Sequence, residues 1–316
     1  MQKFGLLFFA VIANWAQAQF APAAGKPNST AIKNDSTCFV AWAMGAELQR
    51  GLKQINLPDS GYASVGTEQS ALGPALKNGV VSLGDGGSII LEFNPPILDA
   101  NGWDFAVFEN SFNDTFLELA FVEVSSDKQH WVRFPAVSLT QTQQQTPSFG
   151  FTQPEHLNHL AGKYRSPYGT PFDLSELKDS QYYSPMVKFV RLVDVVGSID
   201  SAWGSRDSRG HLVNDPFPTP FISSGFDLDA VGVIHQGYET RVGALGKTAL
   251  FFPNPSKNKV YTTFEAGQFC ISNFSGQILL EGHFEGHGIC FNLPAGAYIM
   301  TLSTDGQNQR GVLTVE

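Results

Sequence analysis

Short runs of alternating apolar and polar residues recur along most of the chain, and no stretch repeats with a helical period. Ile89–Phe93, Trp103–Phe108, Leu119–Ser125, His130–Phe134, Val187–Val196 and Phe226–Ile234 each carry the two-residue alternation or apolar density of a strand. Gly, Pro, Asn, Asp and Ser separate them, and Ser126-Asp127-Lys128 reads as a hairpin turn. One short helix is expected over Leu174–Lys178, because Asp173 and Glu176 have capping-box spacing. Strands of this length, without amphipathic helices, predict an all-β fold: a jelly-roll-like antiparallel β-sandwich.

Two departures from this rhythm mark the ends. Residues 1–18 hold Lys3, then an apolar run from Phe4 to Ala13, then Ala16-Gln17-Ala18. That order is a secretory signal peptide with cleavage after Ala18. The run is too short to span a bilayer, which takes roughly 20 residues, and no later segment is long and apolar enough. Beyond Ile234 the pattern loosens, then resumes as a second small β module. Five regions follow: signal peptide 1–18, leader 19–30, central sandwich 31–236, linker 237–247 and C-terminal module 248–316.

Composition describes an acidic, turn-rich protein and excludes some partners. The chain has 316 residues, 16% of them charged, and a formal net charge of −9. Removal of residues 1–18 takes away Lys3 and leaves −10. A nucleic-acid binder needs a basic surface, so nucleic acid is not an expected partner. Three cysteines follow the signal: Cys38, Cys270 and Cys290. Cys270 and Cys290 share a module and would form a disulfide if their strands were neighbours; an odd count makes no complete framework.

The C-terminal module carries Phe252-Pro253-Asn254-Pro255, then Ser275-Gly276, then Leu293-Pro294-Ala295-Gly296-Ala297-Tyr298. In order and spacing it resembles the C-terminal sorting domain of proteins exported by the bacterial type IX secretion system. The resemblance implies a β-sandwich address read by that machinery, in a Bacteroidetes-like bacterium. The destination would be the outer cell surface or the medium, after passage through the periplasm. Cys270, Cys290 and the terminal Glu316 depart from the usual pattern. In the central region, Leu119–Ser125, Leu160–Arg165, Tyr168–Leu174, Val193–Asp200, Asn214-Asp215-Pro216 and Ser224–Val231 together resemble a family of exported bacterial cell-surface proteins. That likeness implies a location and no reaction.

Candidate chemistry lies in acidic and aromatic loop residues. Glu109, Asn110, Asp194, Asp215, Asp227 and Asp229 are a hypothetical calcium set, since calcium takes six to eight oxygen ligands. Asp227 and Asp229, two apart on one strand, would point to one face. Arg191 and Lys163 are the alternative partners for these acids. Residues 197–224 join two strands by a polar loop of a length usually tied to function. Tyr164, Tyr168, Trp203 and Phe217 are the candidate ligand-binding rings; the alternative is that each caps an end of the sandwich. Glu118 with Glu123, or Glu109 with Asp227, offers a carboxylate pair for glycoside hydrolysis, though nothing singles out either. Gly84-Asp85-Gly86-Gly87 precedes a strand and lacks a Walker lysine, so it reads as a turn. No G-x-S-x-G or H-E-x-x-H is present.

The expectation is therefore a non-catalytic secreted or surface-attached protein that binds an extracellular ligand, glycan or partner, with calcium as its only expected cofactor. The alternatives are a secreted polysaccharide-active hydrolase, an accessory to outer-membrane nutrient uptake, and a structural or adhesive surface protein.

Overall fold

A computed structural model describes residues 20–237, 251–304 and 307–316, with side chains at 307–309 left aside. The signal cleavage site at Ala18 and most of the linker lie outside the described residues. The chain divides into two compact units, one on each side of residues 238–250.

The first unit is an antiparallel sandwich. One sheet runs in the order Ile32–Lys33, Tyr168–Phe172, Phe105–Glu109, Asp227–Val233, Ala41–Trp42, and Val81–Ser82 also pairs with Asp227–Val233. The other runs Leu160–Ala161, Ala120–Ser125, Met186–Asp194, Ser88–Leu98, Gly45–Gln49, and Val132–Arg133 pairs with Ala120–Ser125. Neighbours in each sheet come from distant parts of the chain, as in jelly-roll-like sandwiches. Every predicted central strand is present within a few residues of its expected bounds.

The alternation decides which face each strand buries. In Met186–Asp194, Val187, Val190, Leu192 and Asp194 are buried, and the residues between them are more exposed. Val187, Val190 and Leu192 join Phe93, Phe105, Phe134, Phe172 and Val231 in the main core. Phe105 stacks on Phe172 at 5.3 Å, and Phe134 meets Phe172 edge-on at 4.9 Å.

Three strands break the alternation, Ala120–Ser125 among them. Phe105–Glu109 and Asp227–Val233 are buried at every position. A second cluster, in which Phe39 and Trp42 pack around Phe108 and Ala230, covers the outer face of their sheet. The expected helix is a single 3₁₀ turn, Leu174–Leu177. Asp173 caps it by accepting from Ser175 N at 2.8 Å, but Glu176 ion-pairs with His159 and closes no capping box.

The second unit is also antiparallel: a four-stranded sheet ordered Ile278–Glu285, Ala266–Ser272, Gly296–Thr304, Gln307–Val315, and a three-stranded one ordered Phe251–Phe252, Lys259–Thr262, Gly288–Cys290. Its own core includes Val260, Ile271, Met300 and Leu313. The disulfide expectation is corrected here. Cys270 pairs across to Glu281 and Thr301 in the first sheet, whereas Cys290 pairs with Lys259 in the second. The strands are not neighbours, and Cys38, Cys270 and Cys290 are all free thiols.

Candidate functional site

The buried acids of the first unit mostly serve its own backbone. A loop-rich domain must satisfy amide groups that no sheet ladder reaches. Asp194, at the end of its strand, accepts from Gly86 N at 2.9 Å and Phe226 N at 2.8 Å. The glycine turn 84–87 thus holds an anion after all, and the anion is the chain's own carboxylate. Asp215 accepts from Leu119 N at 3.0 Å. Asp229 accepts from Leu76 N through both oxygens at 3.0 Å. Asp207 accepts from Ser138 N, Arg209 N and His211 N, and Asn214 donates to Gln141 O and Gln144 O while accepting from Thr146 N. The 197–224 segment is therefore pinned by side-chain to backbone hydrogen bonds along its length.

The predicted calcium set does not close on one point. Asp229, Asp194 and Asp215 sit with separate backbone partners, and a register shift between Leu228 and Ala230 falls between Asp227 and Asp229. Only Glu109, Asn110 and Asp227 adjoin one another: Asn110 Nδ2 donates to Asp227 at 3.0 Å, and Leu228 pairs with Glu109 across the sheet. Among the described residues, the acids whose oxygens all lie within 4.8 Å of one another are Asp99, Asp104 and Asp173. Lys178 pairs with Asp99, and Ala100 N, Leu174 N and His235 bond Asp104. Nor do the expected basic partners reach the acids. Arg191 joins Arg133 in enclosing Glu123, which is buried and does not face solvent, and Lys163 Nζ donates to Leu157 O at 2.8 Å.

The predicted ligand-binding rings also separate. Tyr164 is buried and meets Thr30 through its hydroxyl at 2.8 Å, and Phe217 is buried too. Their apolar area goes into the protein interior, as the capping alternative required. Tyr168 is half-buried under Arg165, and Trp203 is exposed in the long loop.

A cleft elsewhere on this unit collects what remains. Asn110, Phe112, Phe116, Glu118, Ser148, Phe149, Thr219, Phe221, Ser223 and Asp227 line a volume of about 230 Å³. Four phenylalanine rings run along it. Phe112 and Phe116 stack at 5.0 Å, Phe116 and Phe149 at 6.2 Å, and Phe149 and Phe221 at 5.6 Å. Phe112 is 74% exposed and Phe149 69%, a large departure from the interior place such side chains usually take.

Three loops supply this row, and each is held locally. Asn113 Oδ1 accepts from Thr115 N and Phe116 N, bending the 110–118 loop so that Phe112 and Phe116 come together. Thr152 N donates to Thr115 O, and Ser148 Oγ donates to Pro218 O, lacing the second and third loops to the first.

Beside the rings the cleft is acidic, and no basic side chain lines it. Asp227 accepts from Ser82 Oγ and Asn110, yet burial pushes its carboxyl up to about 6; Arg50, bonded to the carbonyls of Val65, Gly66 and Ser82, opposes that rise. Burial, reinforced by Glu109, Asp227, Asp215 and Asp194, holds the Glu118 carboxyl well above its ordinary range. Behind it, Glu109 accepts from Ser111 N through Oε2, while its Oε1 is buried without a hydrogen-bond partner. Burial and the nearby Asp227 raise Glu109 as well.

Sequence reasoning missed Phe112, Phe116 and Phe149. Their signal was available: Phe112 and Phe116 stand four apart in a polar loop, and Phe149 interrupts a run of Gln, Thr and Ser.

No protein-family model matches the chain, and no curated protein matches it. Among solved structures it is similar to a Lactobacillus rhamnosus β-glucuronidase at 12% identity and a TM-score of 0.20, covering 94% of this chain and 46% of that one. A Parabacteroides merdae β-glucuronidase with glycerol in its active site gives 10% identity and a TM-score of 0.22, covering 88% and 34%. The chain thus spans less than half the length of either. Superposition this poor bears on neither fold nor function.

Proposed function

We propose that this chain is a secreted or surface-attached, non-catalytic protein that binds an extracellular ligand in the cleft between residues 110–118, 148–149 and 219–227. The observation that carries the reading is the row of solvent-facing phenylalanines beside Glu118 and Asp227. Three exposed rings, Phe112, Phe149 and Phe221, would cost stability unless something covered them in use. The same cleft offers polar groups that can orient a ligand, which is the usual make-up of a small-molecule site. Export rests on the signal-peptide pattern of residues 1–18 and on the sorting-domain motifs of residues 252–298. The type IX machinery is the partner those motifs imply.

Binding is tested with the intact chain and its Phe149→Ala variant on a glycan array and a small-ligand panel. Phe149 is exposed, so the variant should keep its melting temperature and lose about fivefold or more in affinity, as a stacked ring is worth roughly 1 kcal/mol. Ligands retained equally by the variant would place binding elsewhere. Chelation that changes neither binding nor melting would remove calcium from the reading.

A polysaccharide-active hydrolase is the second reading, favoured by two carboxyl groups, Glu118 and Asp227, lining one cleft. Turnover of any polysaccharide, lost in Glu118→Gln, would replace the non-catalytic reading with this one.

A further inference from the structure

Resting on the cleft as the binding site, we infer that its ligand is a small organic cation, seated with its charge at Glu118 and its apolar body along Phe112, Phe116, Phe149 and Phe221.

Charge complementarity is the first argument. Among the described residues, Glu118 has neither a hydrogen bond nor an ion pair for its carboxyl, and Glu109 behind it keeps one buried oxygen unpartnered. Asp227 faces the same volume. Arg50, the cation that acts on Asp227, is committed to three backbone carbonyls, and Arg165 is committed to Asp114 at 2.8 Å. An anionic ligand would enter a field of like sign. A cation would supply the counter-charge that this group of carboxyls lacks, and with it the reason to keep them ionised.

The rings make the second argument, and they separate an organic cation from a metal ion. A calcium ion needs six to eight oxygen ligands at about 2.3–2.6 Å. This cleft is walled on one side by four hydrocarbon rings, which can coordinate nothing of that kind. Aromatic faces do attract ammonium groups, and the attraction grows where water is excluded. The volume, about 230 Å³, also exceeds what a bare ion fills and suits a molecule of small size. A neutral sugar could stack on the rings and hydrogen-bond the acids, but it would supply no counter-charge to ionise them.

The test pairs choline with its neutral isostere 3,3-dimethylbutan-1-ol, titrated into the intact chain by calorimetry and ligand-observed NMR. Choline should bind about tenfold or more tightly than the isostere. Glu118→Gln should abolish that preference while leaving the melting temperature close to wild type. Phe149→Ala should weaken both probes. Equal binding of the two probes, or a preference for choline that survives in Glu118→Gln, would overturn the inference. So would calcium ions displacing choline at low millimolar concentration, since that would make the site a metal site. Neutral glycans that bind through Phe149, with no response to choline, would refute the cation and leave the cleft reading standing. If neither probe nor any glycan depends on Phe149, both fail.

Discussion

At the scale of single residues, this protein turns carboxylates inward. Asp85, Glu109, Asp194, Asp215 and Asp227 are all buried, and most accept from backbone N–H groups in loops. Burial raises the carboxyls of Asp85 and Asp227 to about 6 and those of Glu109, Asp194 and Asp215 well above the ordinary range. In the unfolded chain these groups titrate near 4. Between about 4 and 6 the folded state therefore binds more protons than the unfolded state. Stability is fully present below the unfolded value and is lost as pH rises through the folded one. For Asp85 and Asp227, the rise to about 6 corresponds to on the order of 1–3 kcal/mol each between the low- and high-pH limits. The melting temperature should be higher at pH 5 than at pH 7.5 by about 5 °C or more, and Asp227→Asn should flatten part of that slope. A melting temperature that climbs from pH 5 to 7.5 would contradict this account.

At the scale of elements, the acids and the loops depend on close backbone approach. Gly225 leads into the strand Asp227–Val233 with φ at +70°, a region that favours glycine. A Cβ there would stand 2.7 Å from Asp194 Oδ1 and 2.8 Å from the backbone of Gly84. Gly225→Ala combines backbone strain with a clash against the hydrogen bond that Asp194 makes to Phe226 N. It should cost about 2–4 kcal/mol in denaturant unfolding, against about 1 kcal/mol for Gly210→Ala, whose Cβ would meet open space and which carries only the strain of its positive φ. Comparable losses in the two variants would mean that the close approach at Asp194 matters little. Element identity was legible because strand alternation is a local property: Met186–Asp194 announces its buried face in its own residues. The full burial of Phe105–Glu109 and Asp227–Val233 was not legible, because the layer of Phe39, Trp42 and Phe108 that covers them is assembled from distant segments.

At the scale of the whole molecule, the chain folds as two compact units with separate cores. Each has its own buried cluster, so the first should fold without the second. Deleting residues 251–316 should leave the circular dichroism and melting of the central sandwich nearly unchanged, while export to the cell surface or medium is lost and the protein accumulates in the periplasm. Undiminished export of the truncated chain would refute the sorting role. The free thiols fit this division: Cys270 and Cys290 occupy different sheets of the second unit and contribute no cross-link to its stability.

The sequence by itself determined the all-β class, the main strands and the turn chemistry, since each is written in neighbouring residues through alternation or Gly and Asn placement. Only the tertiary structure decided which acids share a site. Asp227 and Asp229 are two apart in sequence, and a register shift in their strand separates their surroundings. Glu109, Glu118 and Asp227 come together because strand pairing brings residues over a hundred positions apart to one end of the sandwich. The same holds for the rings. Tyr164 and Phe217 look like loop aromatics and are buried, whereas Phe112, Phe116, Phe149 and Phe221 form a row only because hydrogen bonds lace three loops side by side. Local patterns fix how each segment is built; burial and juxtaposition depend on what the rest of the chain lays against it.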